Sequence, residues 1–171
     1  MTNKKTLNVV LTGVMAALIF IATYINIRLP ISFTDGGLIH LGGAVLVIAT
    51  FLLMPVEAGL AGAIGMGLFD MLSPYAVWAP FTFVIRLIQG IVVSKLLLKK
   101  GISGVILAMV IYTIIGMGGY YLAEALIYGN WIAPMASMPG EFISDMVAIV
   151  IGVPIAKILI KNKICYKTEQ Y

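Results

Sequence analysis

Arg86 stands in the run APFTFVIRLIQG, residues 79–90, where the only other polar side chains are Thr82 and Gln89. An uncompensated guanidinium at the centre of a bilayer costs at least about 2.5–3.5 kcal/mol, so its presence calls for a partner: a carboxylate or a ligand. Thr82, Arg86 and Gln89 fall at i, i+4 and i+7 and share one helical face. Tyr121, Glu124 and Tyr128 share another, and Glu141 and Asp145 a third. SPYAVWAP supplies Tyr75 and Trp78, YGNWIAP supplies Asn130 and Trp131, and His40 is the one histidine. Flat rings with a few directed donors and acceptors suit the capture of a small heteroaromatic molecule. The candidate ligand contacts are Arg86, Gln89, Glu124, Asp145, Tyr121, Asn130, Trp131, Trp78 and His40.

Competing roles stand beside this one. Tyrosine and tryptophan also anchor helices at membrane interfaces. Arg86 could instead form a purely structural ion pair with Asp70, Glu124 or Asp145. His40 is expected first as a helix-start or packing residue.

Other chemistries fall away. GISG, residues 101–104, matches the G-x-S-G around the nucleophile of rhomboid-type intramembrane proteases. Its Ser103 would need a histidine base within hydrogen-bond reach, yet His40 is expected across the membrane from it. One cysteine, Cys165, and one histidine leave no disulfide framework and no zinc site. No G-x-x-x-x-G-K-[ST] occurs, so the chain has no P-loop of its own. The expectation is a non-enzymatic protein without metal or cofactor.

The elements that position these residues follow from composition. Of 171 residues, 61% are hydrophobic and 11% charged, against about 25% charged in soluble domains. The net charge of +4 comes from short basic clusters flanking apolar runs, which reads as membrane topology and not as nucleic-acid binding. Six apolar segments cover about 7–27, 38–54, 58–72, 81–98, 105–128 and 142–160. We therefore expect an all-α integral membrane protein, a single transmembrane domain over 1–171 with six helices in the bilayer. The third segment is short of the roughly 20 residues a span needs, so its ends should meet polar cavities or thinned bilayer.

Nine lysines, from Lys4 to Lys167, gather on one side of this frame, and Arg28 is the one basic residue in the opposite loops. Both termini are thus expected in the cytoplasm. Arg28, Asp35, His40, Asp70, Arg86, Glu124, Glu141 and Asp145 then collect in the outer half. A proton relay would continue polar groups across the bilayer, whereas an outward-facing capture site needs them only there.

Small residues form a second pattern. Ala58, Ala61, Gly62 and Gly65 line one side of the third segment and allow close helix approach. Gly13 and Ala17 make a small-xxx-small pair on the first segment, which serves either internal packing or docking of another membrane protein.

The run from GGLIHLGG through FDMLSPYAVWAPFTFVIRLIQG resembles the substrate-binding S components of energy-coupling factor (ECF) vitamin transporters. The shared features are an outer loop leading into HLGG, a Pro-containing turn into a Gly-rich third helix ending at Asp70, and P-x-T-x-x-x-(basic) at Pro80, Thr82 and Arg86. The resemblance covers about residues 7–160. It implies the S-component fold in a bacterial plasma membrane and a vitamin captured outside. The implied partners are a transmembrane coupling (T) subunit and two cytosolic ATPase subunits. A small-residue motif on helix one serves docking in that family; Gly13 and Ala17 match its spacing, with glycine in place of the usual alanine. Within the family the chain looks most like the branch for pyridoxine or the thiamine precursor hydroxymethylpyrimidine. Riboflavin, pantothenate and a non-transporting scaffold or assembly subunit are the alternatives.

Overall fold

Proline and glycine set most of the element boundaries. The computed structural model describes residues 4–28, 38–98 and 101–162; expectations placed on Asp35, Lys99, Lys100, Lys163, Cys165 and Lys167 lie outside the described residues. Six α-helices are described: α1 Lys4–Thr23, α2 Gly42–Leu52, α3 Pro55–Met71, α4 Ala79–Leu96, α5 Ile102–Tyr128 and α6 Met138–Lys161. Pro55, Pro80 and Pro139 lie in the first turns of α3, α4 and α6, where the missing N–H removes no intrahelical bond. Gly129, at φ 61°, closes α5 in the left-handed conformation that glycine takes without steric cost. Short 3-10 turns at Ala76–Trp78 and Ala133–Ala136 lead into α4 and α6.

The all-helical expectation needs one correction. Residues 26–28 and 38–40 form strands β1 and β2 of an antiparallel pair, although 26–27 and 38–40 are expected in the first and second spans. Asn26 is opposite His40 and Ile27 opposite Ile39. The Asn26 amide donates to the Thr23 and Tyr24 carbonyls at 2.9 and 3.1 Å. It thereby takes over acceptors at the end of α1, the competition with helix that asparagine is suited to. Ser144 on α6 donates to the Leu38 carbonyl at 3.2 Å and ties the hairpin to the bundle.

Four helices are long and apolar enough to cross a membrane: Lys5–Thr23, Ala76–Leu96, Ile102–Tyr128 and Met138–Lys161. Their outer faces carry large apolar side chains such as Val9, Ile21, Ile114 and Val150, each at least half exposed, as expected where lipid is the solvent. The 11 residues of α2 span about 16 Å and the 17 of α3 about 25 Å, against a hydrocarbon core of about 30 Å. Eight of the 11 residues of α2 are buried, which makes it the central helix. Around it pack Ile19 of α1, Met66 of α3, Val93 of α4, Tyr112 of α5 and Ala148 of α6.

The small residues of α3 do what their spacing suggests. Ala58, Ala61, Gly62 and Gly65 are all buried. The tightest approach is between α3 and α4, where a Cβ on Gly90 would lie 2.6 Å from Gly59 Cα. Gly13 is different: a Cβ there would meet nothing within 4 Å. With the exposed Ala17 it lines a groove between α1 and α3, walled by Phe20, Leu60, Ile64 and Leu68. Near one end of this groove Asn8 donates to Glu57 at 2.9 Å. Packing inside this chain therefore does not require the small residue at position 13.

Candidate functional site

Every long helix brings polar side chains to one end of the bundle. Thr23 closes α1, His40 precedes α2, Asp70 closes α3, and Trp78, Thr82 and Arg86 open α4. Tyr120 and Glu124 lie in the last turns of α5 and Glu141 in the first turn of α6. Together with Leu38, Met66, Phe69 and Tyr75 they line one cavity. Lys5, Lys95, Lys157 and Lys161 occupy the other end. The cavity has about 570 Å³ of empty space including its open mouth.

Arg86 is only 3% exposed. Its Nη1 donates to Gln89 Oε1 at 2.7 Å, and Gln89 Nε2 donates to the Tyr112 carbonyl at 2.8 Å. The guanidinium lies over the Tyr120 ring at 5.0 Å, within cation–π range. Its described hydrogen bond thus goes to a neutral amide, while Asp145 and Glu141 act on its charge through space. Gly116 makes the arrangement possible. A Cβ there would be 3.0 Å from Asp145 Oδ2 and 3.1 Å from Gln89 Nε2, so glycine lets both polar side chains reach the α5 backbone.

Three buried polar atoms in this region have no hydrogen-bond partner: Arg86 Nε, Glu124 Oε1 and Asp145 Oδ2. Glu124 is 1% exposed, and its other oxygen accepts from the Ser137 hydroxyl. Unpaired buried groups are uncommon and costly. Arg86 and Glu124 line the cavity, so Arg86 Nε and Glu124 Oε1 fit a molecule that would complete their bonding. Tyr120 donates to Thr82 Oγ1 at 3.1 Å, and the Thr82 hydroxyl is beside Asp70. Phe69 and Tyr75 stack 6.4 Å apart at 25°, and Trp78 lies 6.3 Å from Tyr120. Among the described residues no three His, Cys, Asp or Glu side chains converge as metal ligands would.

His40 combines both roles weighed for it. Its Nδ1 accepts from the Gly43 N–H in the first turn of α2, at 3.3 Å, and the residue also lines the cavity. Burial, with Arg86 nearby, pushes its pKa down to about 3, so the ring is neutral and Nε2 carries the proton.

The nine candidate contacts divide into three groups. His40, Trp78, Arg86 and Glu124 line the cavity. Gln89 and Asp145 lie behind Arg86, buried in the bundle. Tyr121, Asn130 and Trp131 do not line the cavity and form a turn of their own. Asn130 Oδ1 accepts from the Ile132 and Ala133 N–H groups, and the Tyr121 hydroxyl donates to the Trp131 carbonyl at 2.6 Å. The tyrosine that faces inward is Tyr120. The Gly116–Tyr120–Glu124 spacing, i, i+4 and i+8, signals the inner face of α5. Ser137, Asp70, Thr82, Tyr75 and Glu141 also belong to the site or its support.

Two comparisons with known proteins bear on this arrangement. An uncharacterized protein in a gap 3′ region of Pyrococcus woesei is 30% identical over 134 residues, covering 77% of this chain and 84% of that protein. Residues 3–161 match the family described as ECF-type riboflavin transporter, S component. The polar groups gathered at one end of the bundle, the apolar helices and the length of this match agree, and the chain belongs to the ECF transporter S-component family.

Proposed function

We propose that this substrate-capture subunit binds a single-ring heteroaromatic vitamin, pyridoxine or hydroxymethylpyrimidine, in the cavity between α3, α4, α5 and α6. The observation that carries this is the set of unpartnered buried atoms, Arg86 Nε and Glu124 Oε1, on a cavity walled by Tyr75, Trp78 and Tyr120. Arg86, steadied by Gln89, donates to an oxygen or ring nitrogen of the ligand, and the aromatic side chains sandwich the ring. Riboflavin is the second reading, favoured by the family's description.

In this reading all six helices cross the membrane, with both termini in the cytoplasm of a bacterial cell. The cavity end of the bundle faces outward and the lysine end inward. The short α3 ends at the cavity, where Asp70 needs no hydrocarbon around it. The chain hydrolyses no nucleotide. It docks through the α1 face at Gly13 and Ala17 on the T subunit, which two cytosolic ATPases drive. The open space over Gly13 supports this use of the face.

Calorimetric titration of the purified chain with pyridoxine, hydroxymethylpyrimidine and riboflavin tests the proposal. Saturable binding of one of the single-ring compounds is expected. Tighter binding of riboflavin moves the assignment to the second reading, and no binding by any of the three favours a non-transporting scaffold.

A further inference from the structure

Carboxyl groups outnumber cationic side chains among the described residues that line the cavity. Arg86 is the one positive side chain among its described lining residues, because His40 is neutral. Against it stand the carboxyl groups of Asp70 from α3 and Glu124 from α5. Glu141, which has an interaction of its own, adds to the same sign. The acids are dispersed and do not converge as a metal site would. Each can therefore serve a separate donor on an organic ligand. Glu124 is the sharpest case, since its Oε1 is buried and accepts from nothing.

From this distribution we infer that the site selects a donor-bearing ring, neutral or cationic, and rejects the same ring carrying a phosphate or carboxylate. The ligand offers one acceptor to Arg86 Nε and at least one N–H or O–H to Glu124 Oε1. A hydroxymethyl group does both, and an amino group donates while a ring nitrogen accepts. The phosphate group of an ester supplies acceptors only and brings negative charge next to two carboxylates in a partly closed pocket, where like charges repel more strongly than in water. Aromatic walls act in the same direction, because ring faces attract cations and repel anions. The inference rests on the capture reading above but extends to whichever ring is bound.

The test uses matched pairs titrated into the purified full chain: pyridoxine and its 5′-phosphate, hydroxymethylpyrimidine and its monophosphate, riboflavin and its 5′-phosphate. For the parent that binds, its ester should bind at least 100-fold more weakly. An ester that binds as well as its parent overturns the inference and leaves the capture reading standing. Silence from all six compounds overturns both. Steric exclusion of the larger ester is separated by the isosteric variants Glu124→Gln and Asp70→Asn, checked for unchanged thermal unfolding. If charge is the cause, at least one folded variant narrows the parent-to-ester ratio by 10-fold or more. A ratio unmoved in both folded variants overturns the charge argument.

Discussion

Replacing Arg86 by Met should separate stability from binding. The substitution keeps an unbranched apolar stem and removes the guanidinium. On the stability side it removes the 2.7 Å bond to Gln89, leaving Oε1 without its donor, a loss of about 1–3 kcal/mol. It also removes the cation–π contact with Tyr120, worth about 0.5–2 kcal/mol. Against these, the native fold no longer holds a 3%-exposed cation with one nitrogen unpartnered, and the desolvation penalty for such an ion is several kcal/mol. The two sides are of similar size, so the ligand-free variant should unfold within a few degrees of the parent. Binding has no such compensation. Losing a charge-assisted hydrogen bond costs about 1.5–3 kcal/mol, or roughly 10- to 150-fold in affinity. Thermal unfolding and calorimetric titration in the same detergent measure both quantities. Affinity retained while the unfolding temperature drops by ten degrees or more would show that Arg86 is a structural residue and that the ligand sits elsewhere.

Further expectations can be checked with single substitutions or single probes. Ala17→Trp fills the α1–α3 groove from an exposed position, so ligand affinity should persist while uptake by the assembled complex stops; lost binding in that variant would restore an internal packing role. For topology, cysteines at Ser73 and Asn130 should react with an impermeant thiol reagent in intact cells while one at Lys161 stays protected, and the reverse pattern inverts the proposed orientation. Ser137, in the same loop, is unsuitable because it is 1% exposed and bonded to Glu124. His40 is the single histidine, so its nitrogen resonances should show no titration between pH 8 and 5, and a midpoint near 6.5 would contradict its desolvation at this half-buried position. An unfolded chain takes up that proton near pH 6.5 and the native one only near 3, so the His40 contribution to stability grows as pH rises through this window.

How far the sequence reached depends on which physical signal each residue gave. Arg86 and Gln89 were legible because i, i+3 neighbours on a helix meet whatever surrounds them. The small side of α3 was legible because helix packing in lipid selects small residues directly. Tyr120 and Tyr121 were not separable in the same way. α5 is apolar on every side, so hydropathy does not tell its lipid face from its inner face, and the inward turn of Tyr120 is set by Thr82 on a neighbouring helix. Asn130 and Trp131 were chosen for their chemistry, but the Gly-Asn pair before Trp131 also has turn chemistry, and the asparagine spends its oxygen on local N–H groups. The strands escaped because INIR and LIH are apolar enough to pass for span ends. Their pairing is a long-range event with no local period.

The groove beside Gly13 has a consequence for how tightly any neighbour can hold this chain. In water, covering Phe20, Leu60, Ile64 and Leu68 would itself drive association. In a bilayer that groove is already wetted by acyl chains, so a partner arriving there exchanges one hydrocarbon neighbour for another. The net gain is confined to better-fitting dispersion contacts and to the freedom returned to displaced lipid tails. Affinity on this face is therefore set by shape at ångström scale and by the lipids that compete for the space. The same pair of proteins should associate differently in membranes whose chains fill the groove well or badly.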